Sequence, residues 1–489
     1  MFTDFDLVLK NMNRRFIINL IFAVGINLLI KPFWVLGVER GVQNAIGPEA
    51  YGFYFSLFSF SFLFNVVLDF GINNYNNTFI SKYPQLLSKK FAQLVMLKLL
   101  LLVVYLVVTF IAAFLVGYDA IQFKLLMVLC FNQILSFAIT YLRTNVSGLQ
   151  FFITDSLLSV LDRLLMILFC ALLLWGKVFG EMQLNWFVYA QTLSYSITLI
   201  ICFFVLKPHL LDLKWKWNKA FTIHLLKKSY PYAVLGILMG VYTKIDGVLI
   251  ERLLPDGKTA AGHYASAYRL LDAANMIAVL FAGLLLPIFS RLLQQKESPK
   301  SLLQLSFTLI ITPALLAVSV CYFYQKEIIL MLNKSGNSEI EKVLYLLMIS
   351  FVFTCTVYIY GTYLTAKGEL RILNRVALFA CLLNIILNLF LIPLWGIIGA
   401  AISSLITQAL VAISHYTIVH QQGGNKLEKV LVIKLILFGL LQIIIPYFLL
   451  SIDCHFIVKI ILQMGLGILA LIYSNVIGIH HLKKLIVRP

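Results

Sequence analysis

Charge is what this sequence has least of. Only 12% of its 489 residues are Asp, Glu, Lys or Arg, and the acids, 21 against 39 basic residues, are the scarcer half. A soluble domain needs roughly 25% charged residues to cover its surface, so a soluble globular class is excluded. No G-x-x-x-x-G-K-[ST] loop offers a cradle for ATP phosphates, and no H-E-x-x-H pair offers a zinc site. The seven cysteines, Cys130, Cys170, Cys202, Cys321, Cys355, Cys381 and Cys454, lack paired or metal-ligand spacing and read as small core hydrophobes. No connection between apolar runs is long enough to hold an active site, so a membrane glycosyltransferase or polymerase is disfavoured and the expectation is a non-enzyme without cofactors.

What fills the chain instead is apolar: 61% hydrophobic, with 38 Phe, 23 Tyr and a mean hydropathy of +0.93. An all-α integral membrane protein follows, because in lipid every backbone donor must be satisfied within its own helix. Runs of about 20 apolar residues place fourteen spans at 16–38, 51–71, 91–116, 121–142, 153–175, 184–206, 230–252, 262–290, 301–324, 342–365, 372–394, 396–419, 429–450 and 455–479. The opening "MFTDFDLVLKNMNRR" precedes a run too long for a signal-peptide core, so it is expected to remain as the first span.

Basic residues concentrate on one side of these spans. Lys10, Arg14, Arg15, Lys89, Lys90, Arg143, the lysines of 207–229, Arg371, Arg375, Lys483 and Lys484 fall on the side of the N-terminus. Arg40, Lys177, Arg252, Lys258 and Lys326 are among the few on the other. Both termini are therefore expected in the cytoplasm, and the net charge of +18 reflects topology, with no nucleic acid implied. The connection "KPHLLDLKWKWNKAFTIHLLKKSYP" reads either as a basic segment on the anionic inner leaflet or as a solvated linker.

Two segments echo each other. "GVERGVQNAIGPEAYGFYFSL" and "VLIERLLPDGKTAAGHYASAY" share a Glu-Arg pair (Glu39-Arg40; Glu251-Arg252), a glycine-containing turn and Gly-x-Tyr opening the next helix (Gly52, Tyr54; Gly262, Tyr264). Both are expected as outer loops. Their offset of six spans predicts two pseudo-symmetric six-helix lobes, an architecture of transporters. The expected organisation is an N-lobe at 1–206, a linker at 207–229, a C-lobe at 230–420, and helices 13 and 14 with a tail at 421–489.

Ionisable residues inside spans are costly and by default face an interior cavity. Lys98, Lys124 and Lys459 lie near enough to helix ends to snorkel. The remaining candidates are Lys31, Asp69, Asp162, Arg163, Lys244, Asp246, Arg269 and Asp272. Arg269 and Asp272, three apart on one face, could simply pair with each other. Lys31 precedes Pro32, which removes a backbone donor and tends to kink a helix. A cavity lined by Lys31, Arg163, Lys244 and Arg269 would suit an anionic head group, since phosphate pairs well with guanidinium and ammonium. The acids Asp69, Asp162, Asp246 and Asp272 could fix those cations or carry a coupling ion, a proton or sodium.

The stretch "VLDFGINNYNN" closes the second span with a cluster of asparagines. If the helix continues past Gly71, Asp69, Asn73, Asn76 and Asn77 share one face and could present hydrogen-bonding groups to sugar. If Gly71 caps the helix, the asparagines form a solvated turn.

"KPFWVLGVERGVQNAIGPEAYGFYFSLFSFSFLFNVVLDFGINNYNN" strongly resembles the first two helices of bacterial oligosaccharide and polysaccharide repeat-unit flippases. These belong to the multidrug/oligosaccharidyl-lipid/polysaccharide exporter superfamily. "YLTAKGELRILNRVALFACLLNIILNLFLIPLWGIIGAAISSL", with its Gly-x-x-Gly-Ala-Ala at Gly396 to Ala401, resembles their helix 10–12 region. The resemblance implies a V-shaped, two-lobed protein of the bacterial cytoplasmic membrane. It would move an undecaprenyl-diphosphate-linked oligosaccharide, of the O-antigen or capsule type, from the inner to the outer leaflet by alternating access. Ion coupling is often part of that mechanism, and the cations would then meet the diphosphate. Lipid-linked oligosaccharide, membrane lipids and other polysaccharide-assembly proteins are the implied partners. Many relatives have aspartate where this chain has Glu39, so a role for that acid carries over only loosely. A lipid II flippase and a drug or cation antiporter on the same fold are the alternatives.

Overall fold

The computed structural model describes residues 25–27, 29–73, 76, 80, 83, 85, 87–176, 180–210, 218–333, 336–423 and 428–473. Among these the regular secondary structure is entirely helical, with no strand. The long helices are α1 (29–46), α2 (Pro48–Leu63, extended by the turn Val66–Asp69), α3 (Leu87–Val116), α4 (Ala120–Gly148), α5 (Phe152–Leu174), α6 (Leu184–Leu206) and α7 (Lys219–Leu253). They continue with α8 (Gly257–Gln294), α9 (Lys300–Phe323), α10 (Ser338–Lys367), α11 (370–394), α12 (397–423), α13 (Lys429–Leu450) and α14 (Phe456–Tyr473). Eleven of the described helices are long and apolar enough to cross a membrane, and one of them, Leu370–Gln421, is two spans broken at Trp395 and Gly396.

Local chemistry sets the helix ends. Asp119 caps α4 through a reciprocal capping box with Gln122. Asn337 accepts from the Ile340 N–H at the start of α10, and Gly368, left-handed at φ 83°, ends it. The α11–α12 break shows what the Gly-x-x-Gly-Ala-Ala motif is for. Gly396 takes φ 58°, which costs any other L-residue about 1–2 kcal/mol. A β-carbon at Gly399 would collide with the Leu391 carbonyl, and Ala400 and Ala401 are fully buried. Across this hairpin the Asn384 Nδ2 donates to Ser403 Oγ (3.3 Å) and Thr407 Oγ1 (3.4 Å).

Several expected boundaries shift. The first helix does not end near Val38 but runs to Ile46, so Glu39 and Arg40 are helical rather than in a loop. The only breaker is Gly47, at φ 86°, followed by Pro48 as the first residue of α2. Glu251 and Arg252 likewise sit in the last turn of α7, and α8 begins at Gly257. Both Glu-Arg pairs mislead because charge reads as loop in a hydropathy window, while each carboxylate has a hydrogen-bond donor: Tyr51 OH to Glu39 Oε1 at 2.6 Å, and Gln122 Nε2 to Glu251 Oε1 at 2.9 Å. Within α1, residues Trp34–Glu39 form a π-helical stretch, beginning two residues after Pro32. Such bulges re-aim side chains and recur at functional sites.

The chain divides into two compact units, Met1–Glu251 and Arg252–Pro489. The division falls in the last turn of α7, and α7 packs closely on α2. A β-carbon at Gly247 would lie 2.7 Å from the Phe55 ring, one at Gly236 3.1 Å from Val66, and one at Gly71 3.4 Å from Tyr232. In the first unit the core joins Leu94, Leu97, Leu142, Leu158, Cys202 and Leu225 from α3 to α7. In the second, α13 and α14 are tied to α9 by buried polar groups, with Gln463 Nε2 donating to Ser319 Oγ at 2.8 Å and Ser319 donating to the Gln442 carbonyl. Six of the seven cysteines are buried, and all are free thiols. The outer faces of α13 and α14, with Ile436, Phe448 and Ile461 more than half exposed, suit lipid.

Candidate functional site

In the first unit two of the four expected cations come within electrostatic range of each other. α5 exposes Leu157, Leu164, Leu168 and Leu172 along one face and buries Val160, Met166 and Cys170 on the other. Arg163 stands with the buried set by helical spacing, and its side chain keeps 28% of its surface accessible. Lys31, on α1, lies within electrostatic range of Arg163, Asp162 and Arg143. Arg163 is also in range of Tyr195 on α6, Tyr54 on α2 and Glu39 on the π-helical stretch of α1.

Neutralisation inside this cluster is uneven. Arg143 Nε pairs with Asp155 Oδ1 at 2.9 Å across the turn from α4 to α5. The Glu39 carboxylate accepts the Tyr51 hydroxyl. Arg163 Nε reaches Asp162 Oδ2 only at 3.6 Å, and adjacent residues on a helix point about 100° apart, so this pair is poorly aligned. The Arg163 Nη1 rests 3.7 Å from Met166 Sδ, a weak acceptor. Lys31 makes no ion pair within 4 Å among the described residues. Arg163 also hydrogen-bonds the Tyr195 side chain, and two cations within electrostatic range of each other would suit an oxyanion, because a bound phosphate relieves their mutual repulsion.

A neutral polar ladder backs this cluster. Asn132 Nδ2 donates to Gln191 Oε1 at 3.2 Å, Thr192 Oγ1 to Asn132 Oδ1 at 2.7 Å, and Gln191 Nε2 reaches Tyr54 OH at 3.5 Å. Tyr54 meets Phe187 edge-on, and Trp34 stacks on the same ring. Asn27 Nδ2 donates to Ser159 Oγ at 3.0 Å, joining α5 to the chain just before α1. These hydrogen bonds, none of them visible as a motif, fix the rotations of α1, α2, α4, α5 and α6 around Arg163.

The other expected residues lie elsewhere. Asp69 is not a cavity acid standing alone: Lys98 Nζ is 2.9 Å from its Oδ1, which also accepts the Asn73 backbone N–H at 3.1 Å. Lys98, set aside in the sequence as a snorkelling residue, is thus an ion-pair partner. The single polar stripe from Asp69 to Asn77 does not form, since α2 stops at Asp69 and both Phe70 (φ 49°) and Gly71 (φ 76°) are left-handed. Nor are the described asparagines of the stretch solvated. Asn73 and Asn76 are helical and buried, and Asn76 Nδ2 donates to Asn145 Oδ1 at 2.9 Å. Asn77 lies outside the described residues.

On α7, Asp246 is buried and Lys244 Nζ lies 5.9 Å from the Phe62 ring centre. Arg269 and Asp272 belong to the second unit, where Arg269 is buried at 4% exposure and Asp272 is partly buried. Of the four expected cations, Lys31, Arg163 and Lys244 thus belong to the first unit and Arg269 to the second. Among the described residues no group of three or more His, Cys, Asp or Glu is placed to hold a metal ion.

Comparison with known proteins agrees with this architecture. The lipid II flippase MurJ, in an inward closed conformation, superposes with a TM-score of 0.72 at 16% identity, over 96% of this chain and 100% of that one. An inward-facing multidrug resistance MATE transporter of the MOP superfamily gives a TM-score of 0.62 at 16% identity, over 83% of this chain and 98% of that one. These likenesses establish the fold. Among curated proteins, the uncharacterized membrane protein MJ1375 of Methanocaldococcus jannaschii is 26% identical over 188 residues, 38% of this chain and 43% of that protein. The capsular polysaccharide biosynthesis protein CapF of Staphylococcus aureus is 21% identical over 224 residues, 45% of this chain and 56% of that protein. The chain thus spans about half the length of the curated relatives it matches. The profile of the family described as "Polysaccharide biosynthesis protein" matches residues 41–293, just over half of the chain, and the protein belongs to that family.

Proposed function

We propose that this protein is a flippase that moves undecaprenyl-diphosphate-linked oligosaccharide repeat units from the inner to the outer leaflet of the cytoplasmic membrane by alternating access. The observation that carries this reading is the under-neutralised pair Lys31 and Arg163 inside the first unit. A diphosphate is the part of such a lipid that every repeat unit shares, and it needs clustered cationic donors wherever it leaves water. Membership of a polysaccharide biosynthesis family supplies the glycan context, and the shared fold of flippases and multidrug transporters supports transport over catalysis. Lys31 and Arg163 bind the diphosphate, Asp162 orients Arg163, and the ordered network of Tyr54, Gln191 and Asn132 keeps the pair in place. O-antigen or capsule units are the cargo in this reading, and a proton or sodium gradient drives the cycle.

Lipid II is the rival cargo, favoured by the whole-chain likeness to MurJ. Reconstitution into liposomes with defined substrates separates the two. Leaflet transfer of a lipid-linked oligosaccharide, accelerated by a proton or sodium gradient and outpacing transfer of lipid II, is the expected result. Equal or faster transfer of lipid II would reassign the cargo, and transfer of neither would remove the flippase reading.

A further inference from the structure

α7 is longer than a membrane requires. Its 35 residues rise about 52 Å at 1.5 Å per residue, against a hydrocarbon core of about 30 Å. The surplus lies at its N-terminal end, before Pro231, where the sequence reading had placed a linker. There one face, Thr222, Leu225 and Ser229, is buried, with Leu225 in the core of the first unit. The opposite face is exposed and carries Ile223, His224, Lys227, Lys228 and Tyr230, with Lys219 exposed in the first turn.

Two neighbouring helix ends enlarge this surface. Lys90 of α3 holds its Nζ 3.8 Å from the centre of the Phe221 ring. The end of α6 brings exposed Lys207 and His209, and Ser88 Oγ of α3 donates to the His209 carbonyl at 3.1 Å. No counter-charge comes from these elements: Leu87–Val116, Leu184–Leu206 with the following turn to Leu210, and the chain from Asn218 to Ile245 contain no Asp or Glu. Exposed rings stand among the cations, with Phe204 61% and Tyr230 59% accessible. Cations interleaved with aromatic and aliphatic side chains, beside a span, are the chemistry of a surface lying at an anionic leaflet.

We propose that the first turns of α7, with Lys90 of α3 and the Lys207–His209 end of α6, form a docking surface for the head groups of anionic phospholipids. Occupancy of this surface reaches α2 directly. A β-carbon at Gly71 would lie 3.5 Å from Ser229 and 3.4 Å from Tyr232, so lipid that pins this part of α7 also pins the left-handed break after Asp69.

The test uses the full chain purified in detergent, titrated with phosphatidylglycerol, with phosphatidylcholine and with inorganic diphosphate, reading bound lipid by native mass spectrometry. Phosphatidylglycerol is expected to bind in preference to phosphatidylcholine. The triple variant Lys219→Gln, Lys227→Gln, Lys228→Gln is expected to weaken that binding roughly 100-fold, about fivefold for each charge. Because all three side chains are exposed, the variant should keep the wild-type melting midpoint; the single Lys227→Gln, with a roughly fivefold loss, serves if the triple variant does not. Undiminished phosphatidylglycerol binding by the variants, equal binding of phosphatidylcholine, or displacement of lipid by diphosphate would overturn the proposal. A second arm, transport in vesicles of rising phosphatidylglycerol content, rests on the flippase reading. Loss of that arm with lipid binding intact counts against the transport assignment and leaves the docking surface standing.

Discussion

Arg163 and Lys31 show how much depends on single side chains here. A guanidinium offers five donors in a fixed fork, and Arg163 meets the Asp162 carboxylate, the Met166 thioether and the Tyr195 side chain; in the proposed reading a phosphate draws on the same fork. Arg163→Gln and Lys31→Gln should each lower transport roughly 10- to 100-fold, the worth of a charge-assisted hydrogen bond of about 1.5–3 kcal/mol, with wild-type amounts of protein in the membrane. Leaflet transfer in liposomes checks this. Arg163→Lys should recover only part of the loss, because an ammonium cannot engage two phosphate oxygens in a fixed fork; full recovery would show that charge alone suffices. Both residues were legible in the sequence as intramembrane cations. That they come within electrostatic range of each other was not, since it depends on how α1 and α5 are placed, and hydrogen bonds such as Asn27 to Ser159 that hold them leave no spacing pattern.

Pairs of elements carry the next layer. Asp69 and Lys98 lock the end of α2 to α3, and the same carboxylate oxygen holds the Asn73 N–H on the far side of the break. Removing one partner of this partly buried pair strands the other charge. Asp69→Asn or Lys98→Met should therefore destabilise the protein by about 1–3 kcal/mol. Replacing both by leucine should return much of that loss, as read by thermal unfolding in detergent. A pair that sat in water would show losses under about 1 kcal/mol and no recovery.

The α11–α12 hairpin gives a sharper test. Gly399→Ala must push the Leu391 carbonyl away, and overpacking of this kind costs about 1–3 kcal/mol or more. Gly439→Ala, where a β-carbon meets nothing within 4 Å, should be silent in the same assay. The hairpin was readable in advance because glycine spacing is a backbone property. Lys98 was misread because a lysine near a helix end has a plausible route to water, and only the neighbour shows that it does not take it.

At the scale of the molecule, span positions and family follow from composition and local pattern, whereas the organisation of charge does not. The surplus turns of α7 lay in what the sequence offered as a linker, and the apolar span was begun at Tyr230 because the residues before it are basic. If those turns are an ordered interfacial helix, Leu225→Ala should cost about 2–5 kcal/mol, since its side chain is fully buried among core residues. The neighbouring Ile223→Ala, at 42% exposure, should cost far less. Thermal unfolding distinguishes them, and equal small effects would return the segment to a solvated linker.

The sequence by itself determined that this is a helical membrane protein of about fourteen spans, because lipid admits only segments of sufficient apolar length whose backbone satisfies itself. It also determined which residues are out of place in lipid. Tertiary structure alone decided which of them are spoken for. Asp69 is held by Lys98 and Arg143 by Asp155, while Lys31 has no ion pair within 4 Å among the described residues and Arg163 reaches its neighbour Asp162 at 3.6 Å. Pairing at these distances is a property of helix neighbours and their rotation, and Coulomb attraction falls off too steeply with separation for sequence spacing to stand in for it.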